Sequence, residues 1–255
     1  EFLNVINEVV ENVKKGEIEI IDLVKYLKKM GAKISGEGTV KITINGVKKL
    51  ISTNYNIMPD RIEAGTMLCA VAATGGSVRL NNVNPNHIDA IINKLEECGC
   101  NIEVGEKTVF LSAPKRLSAI EIKTLPYPGF PTDMQQIFSA MLVKAKGTSV
   151  IIENIFENRF KHLSELRKMG AKVTIEGKTA IIRGVKRANG ATTVCTDLRG
   201  GAALIVAAIM ARGRTKIENI DFILRGYEGL DKKLNKLGAK IKYQEEWYGE
   251  KISPF

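Results

Sequence analysis

Two carboxylates and three arginines fall near the starts of consecutive apolar segments. Asp133 and Asp197 precede these segments in the stretches PTDMQQ and TDLRGG, and Arg199 follows Asp197 closely. Arg159 and Arg225 occupy matching places downstream of the two aspartates. Helix N-termini favour negative charge, and a guanidinium fork matches the oxygen atoms of phosphate or carboxylate. The helix N-termini together with Arg159, Arg199 and Arg225 therefore predict a site for a polyanionic ligand at one rim of the molecule.

The approach to Asp133 is rigid. Residues 125–136 contain three of the seven prolines, and Pro131 ends the preceding strand and comes directly before the apolar segment. Thr132 or Asp133 can cap the helix that follows, which would be a purely structural role. A cap does not need such a rigid approach, so capping and ligand binding both remain open for Asp133.

The elements that must position these residues occur four times along the chain. In each copy an Asn follows an apolar strand, and a helix then ends in Leu-x-x-x-Gly before an alternating strand. The copies are Asn12, Asn82, Asn154 and Asn219, with Leu27/Gly31, Leu95/Gly99, Leu166/Gly170 and Leu234/Gly238. Glycine at this place permits the positive φ that ends a helix, and the following segments, such as residues 32–34, 171–173 and 239–241, are predicted as strands.

Copies two to four carry a second, nearly all-apolar segment upstream. These segments are residues 67–73, 137–143 and 202–211, each followed by a glycine and a strand rich in Val or Ile. An apolar helix without a polar face is typical of a buried position, so we expect the three helices to pack among themselves. The repeating unit is predicted as helix, strand, helix, strand, strand, with one further strand closing it.

The composition is typical of a soluble protein and shows no membrane span. The chain has 255 residues, of which 44% are hydrophobic and 26% charged, as in ordinary soluble domains. The longest apolar run, residues 202–211, is shorter than the roughly 20 residues of a membrane span, and the start of the chain shows no signal pattern. A cytoplasmic protein without a membrane partner is therefore predicted.

Neither the cysteines nor the basic charge points to a separate function. Cys98-Gly99-Cys100 lacks the Cys-x-x-Cys spacing, and Cys69 and Cys195 lie in apolar surroundings, so no metal site is predicted. The net charge of +10 comes mostly from lysines dispersed on helix surfaces among carboxylates. No run combines aromatic and basic residues, so a dedicated nucleic-acid role is not favoured.

Several motifs in fixed order resemble the UDP-N-acetylglucosamine 1-carboxyvinyltransferases, the bacterial enolpyruvyl transferases that open peptidoglycan synthesis. The motifs are PDRIEAGT at 59–66, PGFPTDMQ at 128–135, FENRF at 156–160, TDLR at 196–199 and RGYE at 225–228. The resemblance runs from about Val9 to about Tyr243. The tail from Trp247 to Phe255 matches no motif of the family.

The resemblance implies an α/β fold, an inside-out barrel of βαβαββ repeats with buried helices and outer sheets. It also implies two domains of three units that face each other across a cleft. Residues 1–58 would be the last unit of the first domain, and residues 59–255 the whole second domain. The chain then looks like the C-terminal part of such an enzyme, and residues 1–58 could associate with the missing N-terminal portion, because a single unit exposes apolar surface.

The implied reaction transfers the enolpyruvyl group of phosphoenolpyruvate to the 3′-hydroxyl of UDP-N-acetylglucosamine and releases phosphate. Asp133 matches the carboxylate that contacts this hydroxyl and is the candidate base. Ile155 matches a contact to the nucleotide sugar, and Phe156 is expected to pack beside it. No metal and no organic cofactor is implied.

The arginines match the phosphoenolpyruvate side of the implied site. Arg159, Arg199 and Arg225 correspond to residues that hold the phosphate and carboxylate of this substrate or stabilise the intermediate, and Asp197 would orient them. The family's loop cysteine, its substrate-binding lysine and its other substrate-binding arginines match nothing in this chain. Negligible turnover by the chain alone is therefore expected.

Three alternatives remain beside this assignment. A shikimate-type enolpyruvyl transferase shares the repeat but has a small carboxylate acceptor. RNA 3′-terminal phosphate cyclases contain similar repeats, and the basic charge would suit RNA. The chain could also be a non-catalytic fragment that binds the nucleotide sugar or pairs with another chain.

Overall fold

The structure is a computed structural model that describes residues 8–11 and 17–244. The predictions made for Asn12 and for the tail from Trp247 to Phe255 lie outside the described residues.

The first unit is a small antiparallel sheet with one helix. It comprises β1 (Glu8–Glu11), α1 (Ile18–Lys29), β2 (Lys33–Ser35) and β3 (Lys41–Asn45), with strand order β1-β3-β2. Val24 of α1 packs on Ile34 and Ile42 in a small hydrophobic core separate from the main one. The N-terminal end of α1 meets the rest of the chain through Arg61, whose Nε donates to Glu19 at 2.7 Å.

Three further units follow. The second comprises α2 (Arg61–Thr74), β4 (Ser77–Asn81), a 3₁₀ turn (Pro85–His87), α3 (Asp89–Glu97), β5 (Asn101–Val104) and β6 (Thr108–Ser112). The third comprises β7 (Glu121–Lys123), α4 (Thr132–Leu142), β8 (Thr148–Ile152), α5 (His162–Lys168), β9 (Lys172–Glu176) and β10 (Thr179–Arg183). The fourth comprises β11 (Thr192–Val194), α6 (Leu198–Met210), β12 (Lys216–Glu218), α7 (Asp221–Leu224) and α8 (Leu230–Lys236).

Each unit places its own sheet beside the helices. The second unit forms an antiparallel sheet of order β4-β6-β5. The third forms β7-β8-β10-β9, in which β7 runs parallel to β8 and the other pairs are antiparallel. In the fourth, β11 and β12 pair in parallel.

The apolar helices α2, α4 and α6 pack against one another in the main core, as predicted. Leu68, Phe138 and Leu204, one from each helix, are at most 1% exposed. Because these helices have no polar face to turn outward, they fill the centre and leave the sheets outside. Among the described residues no helix is both long and apolar enough to cross a membrane.

The four Leu-x-x-x-Gly helix ends are confirmed. In each, the glycine has φ between 91° and 101°, and the N–H of the next residue donates to the carbonyl oxygen of the leucine. These bonds join Ala32 to Leu27, Cys100 to Leu95, Ala171 to Leu166 and Ala239 to Leu234, at 3.0–3.1 Å. The bond closes the last helical turn and turns the chain back toward the sheet.

One detail of the predicted repeat is wrong. Residues 239–241 form no strand, and the N–H and carbonyl of Ile241 pair with the side chain of Asn235, each at 2.8 Å.

Asn82, Asn154 and Asn219 follow β4, β8 and β12, as predicted. Asn82 and Asn219 both adopt φ near +55°, whereas in the third copy Asn158 takes this conformation in place of Asn154. The loop after β8 therefore turns four residues later than in its counterparts.

Gly184 marks a close approach between backbones. Its N–H donates to the carbonyl oxygen of Gly147 at 2.9 Å, and a Cβ at this position would overlap the backbone oxygen of Ala145. We expect Gly184→Ala to lower the free energy of unfolding by about 2–3 kcal/mol, because backbone atoms cannot move aside as side chains do. Urea unfolding would measure this, with Gly76→Ala as control, since a Cβ there meets only Val71 at 3.4 Å. Equal midpoints for the two variants would contradict the prediction.

Candidate functional site

A cleft of about 900 Å³ lies between the first unit and the N-terminal ends of the buried helices. Asp133 and Arg199 line it at the ends of α4 and α6, together with Ile155 and Phe156 from the loop after β8. Exposed apolar side chains of the first unit, including Ile57, line the opposite side. The carboxylates of Glu17, Glu19 and Asp22 also line that side, so both walls of the cleft carry charged as well as apolar side chains.

Asp133 does not cap its helix. Pro131 occupies the N-cap position of α4 with no side-chain hydrogen bond, and Asp133 is the second helical residue. Its Oδ1 accepts from Arg159 Nη2 at 2.6 Å, and its Oδ2 accepts from Arg199 Nε at 3.2 Å and Nη2 at 3.1 Å. The capping interpretation is therefore wrong, because both carboxylate oxygens bind arginine.

Asp197 has a different position in its helix. It is the N-cap of α6, where Oδ1 accepts from the Gly200 N–H at 2.8 Å and from Gln136 Nε2 at 3.0 Å. Counted from the helix starts, Asp197 corresponds to Pro131, and Arg199 corresponds to Asp133. The predicted equivalence of the two aspartates is off by two residues. The second positions of α4 and α6 instead carry opposite charges that meet.

The loop that carries Arg159 is anchored by a buried carboxylate. Glu153 is 1% exposed, and its Oε1 accepts from the N–H groups of Ile155 at 2.9 Å and Phe156 at 3.1 Å. Its Oε2 accepts from the Thr132 hydroxyl at 2.7 Å, and that hydroxyl accepts from Arg159 Nη1 at 2.7 Å. The Arg159 guanidinium also lies 4.8 Å from the centroid of the Phe156 ring. Hydrogen bonds through Thr132 thus connect the loop to the start of α4.

Sequence reasoning gave no role to Glu153 or Tyr227. Tyr227 is 2% exposed, and its hydroxyl lies 3.2 Å from Arg199 Nη1 and 3.0 Å from Thr66 Oγ1. The available signals were an acidic residue ending an apolar strand, for Glu153, and a tyrosine inside the RGYE motif. Both signals are weak in isolation, because the contacts that connect Glu153 to α4 and Tyr227 to α6 involve Thr132 and Arg199, which are distant in sequence.

Arg225 lies apart from the cluster. It is exposed, its guanidinium is 5.5 Å from the centroid of the Phe222 ring, and it does not line the cleft. Of the seven predicted site residues, Asp133, Arg159 and Arg199 are in direct contact. Ile155 and Phe156 line the same cleft. Asp197 does not line it, but accepts a hydrogen bond from Gln136 of α4.

Comparison with known proteins identifies the family. The model of the EPSP synthase (3-phosphoshikimate 1-carboxyvinyltransferase) family matches residues 6–234. The chain belongs to this family. The resemblance to enolpyruvyl transferases inferred from the motifs is thus confirmed.

Relatives of high identity carry a more specific name. The UDP-N-acetylglucosamine 1-carboxyvinyltransferase 1 of Caldanaerobacter subterraneus subsp. tengcongensis is 52% identical over 91% of this chain. The UDP-N-acetylglucosamine 1-carboxyvinyltransferase of Thermodesulfovibrio yellowstonii is 52% identical over 92% of this chain. This chain spans 56% of the length of each of these two relatives.

Solved structures confirm the enolpyruvyl transferase fold. The enolpyruvyl transferase NikO from Streptomyces tendae matches with a TM-score of 0.80 and 25% identity, over 94% of this chain and 57% of NikO. EPSP synthase from Acinetobacter baumannii matches with a TM-score of 0.66 and 20% identity, over 87% of this chain and 55% of that protein, which supports the fold alone.

In this member of the family the carboxylate of Asp133 is held in its charged form. Burial alone would raise the pKa of Asp133, but the guanidinium groups of Arg199 and Arg159 outweigh burial and hold the pKa below its usual range. Burial lowers the pKa of Arg199, and Tyr227 and Asp133 together more than offset that effect. Two guanidinium groups share one carboxylate, so these three side chains together carry one positive charge, while the rest of the cleft lining includes the carboxylates of Glu17, Glu19, Asp22 and Asp60.

A neutral histidine lies behind the site. His162 of α5 is fully buried, and its Nε2 is 2.6 Å from the hydroxyl oxygen of Ser139 on α4. Burial lowers the pKa of His162 to about 3. The imidazole is therefore neutral at physiological pH and joins α5 to α4 as a hydrogen-bonding group.

The buried histidine makes stability depend on pH. Between pH 6.5 and about 3 the unfolded chain takes up a proton at His162 and the folded chain does not, so stability falls as the pH falls. One proton corresponds to a slope of at most about 1.4 kcal/mol per pH unit. We expect His162→Gln to flatten the dependence of the unfolding free energy on pH in this range, measured by urea unfolding at pH 4 to 7.

The other histidine provides the matched control. Burial also lowers the pKa of His87, which is only partly buried, so His87→Gln should flatten the curve less than His162→Gln. Parallel curves for His162→Gln and the unchanged chain would refute a neutral buried imidazole.

Proposed function

We propose that this chain forms one wall of an active site that transfers the enolpyruvyl group of phosphoenolpyruvate to the 3′-hydroxyl of UDP-N-acetylglucosamine. The observation that carries the proposal is the Asp133 carboxylate, fixed in a cleft by two guanidinium groups. The names of relatives about half identical to this chain support the choice of acceptor. The first committed step of peptidoglycan synthesis, in the cytoplasm, would be the setting.

In this proposal Asp133 receives the proton of the acceptor hydroxyl while the hydroxyl oxygen bonds to C2 of phosphoenolpyruvate, and the C2–C3 double-bond electrons take up a solvent proton at C3. The resulting tetrahedral intermediate then loses phosphate from C2 and a proton from C3, which restores the double bond. A carboxylate whose pKa is held low is a weak base, so orientation of the hydroxyl must contribute as much as basicity. The contacts of Asp133 with Arg159 and Arg199 fix the orientation of the carboxylate toward which that hydroxyl is directed.

The arginines bind the anionic substrate. Arg159 and Arg199 are mostly buried, with side-chain exposures of 19% and 14%, so their charges are only weakly screened by water. Each has N–H groups that Asp133 does not use, and these can reach phosphate or carboxylate oxygens. For Arg225 the support is its motif alone, since its side chain lies against Phe222. Asp197 acts indirectly, by capping α6 and by holding Gln136.

The sugar side of the proposed site is apolar. Ile155 and Phe156 line the cleft next to Asp133, and the Phe156 ring is half exposed. The hydrogen bonds of Glu153 to both backbone N–H groups fix where these side chains stand. They can therefore contact the sugar face while its hydroxyl reaches Asp133.

The domain division also belongs to the proposal. Residues 1–58 would complete a first domain and residues 59–255 would form the second, and the separate small core of the first unit supports this boundary. Val40, Leu50 and Ile51 of the first unit are exposed apolar residues that further units of a longer polypeptide would cover.

Ligand-induced stabilisation tests the proposed acceptor. We expect UDP-N-acetylglucosamine at tenfold excess over its Kd to raise the unfolding midpoint of the chain by about 3 °C, because it binds only the folded state. Asp133→Ala and Phe156→Ala should abolish the shift. Phe110→Ala is the matched control, since that ring also lies near a guanidinium, 5.3 Å from Arg79, but outside the cleft. A shift with shikimate 3-phosphate instead would favour the shikimate-type alternative.

Turnover by the chain alone is expected to be negligible. The cluster supplies two guanidinium groups and one carboxylate, and the relatives are nearly twice as long. Phosphate release from a mixture of both substrates should match that of Asp133→Asn, with a full-length relative as positive control. Release that needs both substrates and is lost in Asp133→Asn would show that the chain is sufficient for catalysis.

A further inference from the structure

A row of four side chains from different parts of the chain leads from the cleft into the core. Thr66 lies on α2, Tyr227 between α7 and α8, Arg199 on α6 and Asp133 on α4. Thr66 is 1% and Tyr227 2% exposed, so this row is shielded from water on the side away from the cleft. We propose that Tyr227, supported by Thr66, is a positioning residue that fixes the Arg199 guanidinium against Asp133.

The hydrogen-bond directions along the row are determined. The Thr66 hydroxyl donates its hydrogen to the carbonyl oxygen of Ile62 at 2.7 Å, so toward Tyr227 it can only accept. The Tyr227 hydroxyl therefore donates to Thr66 Oγ1 at 3.0 Å and accepts from Arg199 Nη1 at 3.2 Å. The row runs one way, from Arg199 through Tyr227 and Thr66 to the backbone of α2.

Two anchors on one planar group define its orientation. Arg199 uses Nη1 on Tyr227, and uses Nε and Nη2 on Asp133 Oδ2. With the carboxylate alone the guanidinium could pivot about Oδ2, whereas the second contact at Nη1 fixes the plane. The guanidinium carbon also lies 5.5 Å from the centroid of the Tyr227 ring.

Burial keeps the hydroxyl of Tyr227 protonated. Burial raises the pKa of Tyr227, and this outweighs the opposing effects of Arg199 and of the hydrogen bond that Tyr227 donates to Thr66. Asp60 also acts on Tyr227 and raises its pKa further. On the cleft side, Asp133 forms ion pairs with Arg159 and Arg199, and Asp197 accepts a hydrogen bond from Gln136. The hydroxyl can thus donate and accept at neutral pH.

The ring and the hydroxyl of Tyr227 have separable roles. A phenylalanine would keep the buried ring and its contact with the guanidinium, but it would leave Arg199 Nη1 without its acceptor. The position of Arg199 then depends on Asp133 alone. That Arg199 holds a substrate oxygen rests on the proposed function, whereas its orientation by Tyr227 does not.

The test is carried out on the chain without substrate. The carboxyl carbon of Asp133 is followed by NMR through an acid titration in the unchanged chain and in Tyr227→Phe, Thr66→Val and Arg199→Gln. We expect Tyr227→Phe to shift the Asp133 midpoint upward by about half of the rise produced by Arg199→Gln, because a loosened guanidinium stabilises the carboxylate less. Thr66→Val should shift it in the same direction by less.

Tyr127→Phe is the matched control. Tyr127 also has a guanidinium 5.5 Å from its ring centroid, that of Arg61, and its hydroxyl donates to the carbonyl oxygen of Asn86 at 3.2 Å. It does not touch Arg199, so the Asp133 midpoint should stay unchanged. A second readout is the mobility of the Arg199 Nε–H by nitrogen-15 relaxation, which should increase in Tyr227→Phe and stay unchanged in Tyr127→Phe.

An unchanged Asp133 midpoint in Tyr227→Phe, with Arg199→Gln still raising it, would overturn the proposal. If Tyr227→Phe fails to fold, Thr66→Val decides in the same way, because a valine fills the space of the threonine and removes only the hydroxyl. Failure of UDP-N-acetylglucosamine to bind would leave these titrations unaffected, so the two proposals fail separately.

Discussion

The mutual packing of α2, α4 and α6 is the constraint on which the rest depends. Because each helix is apolar on all sides, none can serve as a surface helix, and the sheets must lie outside. The same packing brings the first turns of α4 and α6 together, as the contacts of Arg199 with Asp133 and of Gln136 with Asp197 show. Helix packing alone therefore places the polar side chains of these turns near one another.

Opposite charges at corresponding helix positions turn this packing into a site. Asp133 and Arg199 both stand two residues beyond the N-cap positions of their helices, so quasi-equivalent places carry a carboxylate and a guanidinium. The surplus positive charge comes from Arg159, which a loop delivers and the buried Glu153 stabilises. The packed helices thus fix the positions of Asp133 and Arg199, and the loop after β8 adds a second guanidinium group beside them.

Much of this was predictable from the sequence, for identifiable physical reasons. A helix end marked by Leu-x-x-x-Gly and a helix without a polar face are local patterns, so α1, α3, α5 and α8 and the buried trio followed directly. The role of Asp133 did not follow, because a shift of two residues in the helix start separates a cap from an ion pair. Tyr227 and Glu153 were missed since their partners, Thr66 and Thr132, are distant in sequence. Residues 239–241 failed as a strand because Asn235 binds their backbone.

The four helix ends also explain how the fold persists while sequences diverge. Each is closed by one hydrogen bond between backbone groups five residues apart, from the residue after the glycine to the leucine carbonyl. The two positions after each leucine are exposed, whereas the position before the glycine is buried in two of the four copies, at Cys98 and Met169. Roughly half of the aligned positions differ between this chain and its named relatives. The closure of each helix therefore depends on backbone groups and on the positive φ of one glycine, and it uses no side-chain hydrogen bond.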